Sequence, residues 1–128
     1  MSEFEYFEMI NMSADAVRVS IMNFTYLVFS YIFASYLAGD KFPKHIAIAA
    51  SVIYTLALFG PLLGIVGNLI KVINVTHLYH QNYPEGALLP DYLNGNFALF
   101  ITIAPIFLAW CSSIYFLHFY VRKDNAQK

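Results

Sequence analysis

Chemistry in this chain would have to rest on four histidines, one cysteine, a pair of serines and a few charged groups. His77 and His80 stand three apart, so a helix would turn both toward one metal ion, and Glu85 and Asp91 follow in the same stretch. A zinc centre takes three or four ligands, so two histidines alone do not define one. Two interfacial histidines at a helix end are the simpler reading. His45 and His118 belong to antiparallel segments and fall at one membrane level, an arrangement that can hold a haem between two imidazoles. His118 lies within a turn of the headgroups, and no arginine and serine pattern of a haem-holding subunit accompanies it. A histidine satisfied at the interface is expected instead, with neither metal nor cofactor.

Nucleophilic catalysis fares no better on sequence grounds. Cys111, Ser112 and Ser113 have only Tyr115 and His118 near them, and a nucleophile needs a base within hydrogen-bond reach. Cys111 and His118 share a helical face but stand about 10 Å apart along it. The acidic residues all lie in the N-terminal segment, the loops and the tail, and no glycine-rich phosphate loop follows a strand. An enzyme is not expected.

The elements that position these residues follow from where charge is missing. Apolar residues make up 59 % of the 128 and charged ones 12 %, against roughly 45–50 % and about 25 % in soluble domains. Residues 19–39, 46–70 and 92–121 contain no Asp, Glu, Lys or Arg. About 20 helical residues cross a bilayer core, and each block meets that length. The sequence therefore predicts an all-α integral membrane bundle of three transmembrane helices, forming one domain over 1–128. The spans are expected at about 19–38, 46–75 and 97–121, with a loop over 78–96. Pro84, Gly86, Pro90 and Gly95 break that loop, and Tyr79, Tyr83 and Tyr92 suit an interface.

Residues 1–18 read as a short amphipathic helix at the membrane surface. Ser2 and Glu5 have capping-box spacing, and Phe4, Phe7, Ile10, Ala14 and Val17 recur at three or four. The one cysteine excludes an internal disulfide. No basic stripe is present, and the net charge of −1 points to no nucleic-acid partner. The acidic start and the lack of a positive n-region predict that the first span is retained rather than cleaved.

Small residues form the remaining pattern. Ala50, Ala57, Gly60, Gly64 and Gly67 make a stripe on span two, with Gly60 and Gly64 at GxxxG spacing, which lets helix backbones approach closely. Span three carries Ala98, Thr102, Pro105, Ala109 and Ser112. These two seams predict helix packing, either to each other or between copies. Beyond the first lie Asn68, Lys71 and Asn74, a candidate polar path at a pore mouth, although a lysine there also suits snorkelling to the headgroups. The expected partners are the lipid bilayer and either further copies of the chain or another membrane protein. Of the seven Lys and Arg, Lys41, Lys44, Arg122, Lys123 and Lys128 fall on one side and Arg18 and Lys71 on the other. The positive-inside rule then puts the N-terminus outside and the C-terminus in the cytoplasm. A self-assembling non-catalytic membrane protein, with or without a pore, and an accessory subunit of a larger complex are the two functions this pattern favours; a small-molecule binder or transporter with an aromatic pocket ranks behind them, since no acidic residue lies within a span.

Overall fold

The structure is a computed structural model in which residues 1–85 and 96–122 are described. These residues form three helices and no strand: α1 (Glu3–Ala38), α2 (Lys44–Asn82) and α3 (Asn96–Tyr115), the last continued by a π-helical segment, Phe116–Val121. All three are long and apolar enough to cross a membrane.

Local chemistry sets the ends. At the start of α1 the Glu5 amide donates to Ser2 Oγ at 3.3 Å and the Ser2 amide donates to Glu5 Oε2 at 2.7 Å. Each side chain thus satisfies a backbone donor that the first turn leaves open. Pro43 caps α2, its ring fixing φ near the helical value and keeping Phe42 out of the helical region. Residues 39–43 therefore make a tight turn, and α1 and α2 form an antiparallel hairpin.

The N-terminal segment is helical, as its spacing predicts, but it is not a separate element. It runs unbroken into the first span, so α1 has 36 residues and α2 has 39. Their lengths are about 54 and 58 Å by helix rise, nearly twice the hydrocarbon thickness of about 30 Å. The surplus lies at the end remote from the turn, where Glu3, Glu5, Glu8, Asp15, Arg18 and Lys71 cluster, and it projects from the bilayer as a two-helix stalk. There Tyr6 and Ile10 are buried against Val72 and Tyr79, while Phe4 and Phe7 of the amphipathic stripe are exposed. Tyr6 turns inward because its hydroxyl has a partner, accepting from Asn82 Nδ2 at 2.8 Å. Tyr83 closes the stalk by donating to the Met1 carbonyl at 2.8 Å.

Within the membrane half, Phe24, Val28, Tyr54, Leu58 and Ile65 form the core, and Ile106, Ala109, Trp110 and Ile114 of α3 pack on it. The end of α3 is held more firmly. Arg122 Nη1 donates to the carbonyls of Gly39 (3.2 Å) and Phe42 (2.8 Å), tying it to the turn. A Cβ at Gly39 would meet the Ser35 carbonyl oxygen first and then Leu117 Cδ1 at 2.6 Å, so backbone as well as side chain would have to give.

Candidate functional site

The three helices share a polar layer in the half of the membrane nearest the turn. Ser51 of α2 is its hub. Its hydroxyl donates to the Ala47 carbonyl at 2.9 Å, lies 2.7 Å from Tyr31 Oη of α1, and lies 2.9 Å from His118 Nε2 of the π-helical segment. A serine has one proton and two lone pairs, and a carbonyl can only accept. Ser51 thus bonds within its own helix and to one group on each of the other two, Tyr31 and His118. A second cluster is built alike: Ser113 Oγ lies 2.7 Å from the Trp110 carbonyl and 2.9 Å from Tyr54 Oη. Trp110 Nε1 donates to Thr55 Oγ1 at 3.1 Å, and Thr55 passes its proton to the Ser51 carbonyl at 2.8 Å. The Tyr31 and Tyr54 rings stack between the clusters, 3.9 Å apart and 10° from parallel.

Ser51 and His118 stand at hydrogen-bond distance on two different helices, and Tyr31 brings in the third. This arrangement holds helices together.

Beside the layer, α2 and α3 diverge into a groove open to lipid. Near its middle is a cavity of about 250 Å³ with apolar walls, among them Phe24, Leu58, Leu62, Ile106, Phe107 and Trp110. Toward the turn is a second cavity of about 260 Å³, lined by Ile48, Ser51, Val52, Ile114 and His118. Thr55 borders both.

The residues singled out from sequence are distributed as follows. Gly64 is packed inside the hairpin, where an added Cβ would meet Ser20 Oγ at 2.5 Å and Ser20 Cβ at 3.3 Å. Gly60 and Gly67 have no neighbour within 4 Å of such a Cβ, and Ala50 and Ala57 are exposed beside them. On α3, Ala109 packs on the core, Ser112 is exposed, and Thr102 donates to its own Ala98 carbonyl at 2.8 Å. Asn68 is folded back onto the Gly64 carbonyl at 2.8 Å, whereas Lys71 and Asn74 are exposed. Cys111 is exposed and Ser113 buried. His45 and His77 are exposed; the His80 ring Nδ1 lies 2.9 Å from the Thr76 carbonyl. Among the described residues no three His, Cys, Asp or Glu gather around a point; Asp91, Gly86, Pro90, Tyr92, Gly95, Lys123 and Lys128 lie outside those residues.

Sequence reasoning missed the pairing of Ser51 with His118 and of Tyr54 with Ser113. A usable signal was present. A hydroxyl or imidazole in a span otherwise free of polar groups requires a partner on another span, and Ser51, Tyr54, Thr55, Ser113 and His118 each met that description.

No family model, no curated protein and no solved structure matches this chain. Fold and site together define its class: a small all-helical membrane protein with three apolar helices joined by an internal hydrogen-bonded layer.

Proposed function

We propose that this protein is a non-catalytic membrane protein that assembles with copies of itself through the outward face of α2. The observation that carries the reading is the open space over Gly60 and Gly67. Both lie on an exposed strip with Ala50 and Ala57 that neither α1 nor α3 covers. A smooth strip lets a second backbone approach closely, so that dispersion and weak Cα–H···O contacts stabilise the pair. Phe29, Phe33, Phe100 and Phe107 are exposed on α1 and α3, and on α2 itself Ile53 and Leu63 stand exposed among and beside the small residues.

With the N-terminus outside and the C-terminus in the cytoplasm, as the basic residues favour, assembly gathers Lys71 and Asn74 of several copies at the outer end. A path for anions or small polar solutes there is the finer form of the proposal. Asn68, bonded to its own helix, does not contribute to it.

An accessory-subunit role is the second reading, and the stalk favours it. Phe4 is 71 % exposed and Met12 69 % exposed on a part of α1 that projects beyond the hydrocarbon, and apolar side chains in such a place suit a partner protein. Native mass spectrometry of the detergent-extracted protein from its own host tests both. A species at an integer multiple of 14.6 kDa is expected; a foreign chain at fixed ratio would replace the first reading with the second.

A further inference from the structure

We propose that copies of this chain join face to back: the outward face of α2 on one copy docks on the outward face of α1 on the next, with Lys71 meeting Asp15 of its neighbour. The inference rests on the self-assembly reading and names the surface that receives α2.

The two faces differ in charge. At about 100° per residue, Glu8, Asp15, Met22 and Tyr26 lie within about 20° of the side of α1 opposite Tyr6, which is buried against α2. All four are exposed. Among the described residues the only ion pair is Asp15 with Arg18, at 3.3 Å. Glu8, Asp15 and Arg18 together leave one negative charge on this face. Lys71 is exposed on α2 with no carboxylate beside it. Asp15 points away from α2, so the two do not meet within one copy. Two α2 faces set against each other would bring Lys71 onto Lys71, and like charges so placed repel. Set against α1 of a neighbour, Lys71 cancels the charge it meets.

Depth in the bilayer decides which residues come together. The α1–α2 hairpin sets Ser20 beside Gly64. Counted from that contact along antiparallel helices, Lys71 stands level with Ser13, Gly67 with Val17 and Gly60 with Phe24. Copies inserted the same way up keep these levels. Lys71 therefore arrives two residues from Asp15 of its neighbour, about 3 Å along the axis. Gly67 arrives as close to Val19, and Gly60 arrives between Met22 and Tyr26. A Cβ added at Gly60 or Gly67 meets nothing within 4 Å, and the exposed side chains of Val19, Met22 and Tyr26 are bulky enough to fill that space. Pairing neutralises Lys71, so a path at the outer end suits small polar solutes rather than anions.

Cysteine cross-linking of the full-length protein in membranes distinguishes the arrangements. In a Cys111→Ser background, which removes the native thiol, Gly67→Cys and Val19→Cys are made singly and then co-expressed. Oxidation is expected to give covalent dimer only from the co-expressed pair, and a ladder of multimers when one chain carries both. Dimer from Gly67→Cys alone would mean that two α2 faces meet, overturning this inference and leaving self-assembly standing. No covalent product from any sample would also overturn it. Native mass spectrometry then separates a wrong face, with the oligomer mass kept, from failure of self-assembly, with monomer alone. Lys71→Asp should raise the concentration of half-dissociation in mild detergent by about threefold or more, as loss of one exposed ion pair implies, and adding Asp15→Lys should restore it. Unchanged dissociation in Lys71→Asp would overturn the pairing. If circular dichroism shows Gly67→Cys unfolded, Gly60→Cys with Met22→Cys reads the same contact.

Discussion

Replacing Gly64 and replacing Gly67 should have opposite consequences, although the two lie three residues apart on one stripe. At Gly64 an added methyl meets Ser20 Oγ at 2.5 Å and Ser20 Cβ at 3.3 Å. The hydroxyl can rotate aside, but the Cβ is fixed to α1 and must move with its helix. Overpacking of this kind costs about 1–3 kcal/mol, and the gain in helix propensity from Gly to Ala returns about 1 kcal/mol. Gly64→Ala should therefore lose roughly 0–2 kcal/mol of hairpin stability by these two terms, and Gly64→Leu should lose more. At Gly67 the same methyl meets nothing within 4 Å, so only the propensity term remains. Gly67→Ala should stabilise the isolated chain by up to about 1 kcal/mol, and Gly67→Leu should leave its fold intact. The assay pairs unfolding in mixed SDS micelles, followed by Trp110 fluorescence and circular dichroism, with native mass spectrometry in mild detergent. Gly67→Leu is expected to unfold normally and to appear as monomer. Gly64→Leu is expected to unfold early, and Ser20→Gly should recover part of the Gly64→Ala loss. If Gly64→Leu unfolds like the parent protein, the placement of α1 on α2 is wrong; if Gly67→Leu keeps the parent's oligomer mass, the strip is not the assembly face.

Three further outcomes test the packing. Thr76 is fully buried with an unpartnered hydroxyl, so Thr76→Val, nearly the same shape, should raise the SDS unfolding midpoint by about 1 kcal/mol of stability; a loss of that size would reveal a partner for the hydroxyl. Ser51→Ala removes the shared partner of Tyr31 and His118 and should cost about 1–2 kcal/mol, against about 0.6 kcal/mol for Tyr31→Phe, which removes one interhelical bond. Equal costs in the same unfolding assay would refute the hub. Gly39→Ala drives a methyl into the Ser35 carbonyl and Leu117, and should speed hydrogen exchange of the turn amides over 39–42; unchanged exchange would mean that the turn is not packed in this way.

The spans were legible because charge exclusion over long blocks is a strong and local signal. The start of α1 was legible for the same reason: Ser2 and Glu5 satisfy each other within one turn. Which face of a helix points inward was not, because hydrophobicity stops marking the interior once the solvent is lipid. Phe4, Phe7 and Ile10 share one spacing, yet only Ile10 of the three is buried, beside Tyr6, whose hydroxyl accepts from Asn82. The GxxxG spacing of Gly60 and Gly64 predicts close packing at both; four residues turn the helix by about 40° beyond a full circle, and only Gly64 falls under α1. The polar layer was hidden for a different reason. Its bonds join positions 20, 59 and 67 residues apart. His118 lies within a six-residue π-helical segment, whose register a 3.6-residue period does not anticipate.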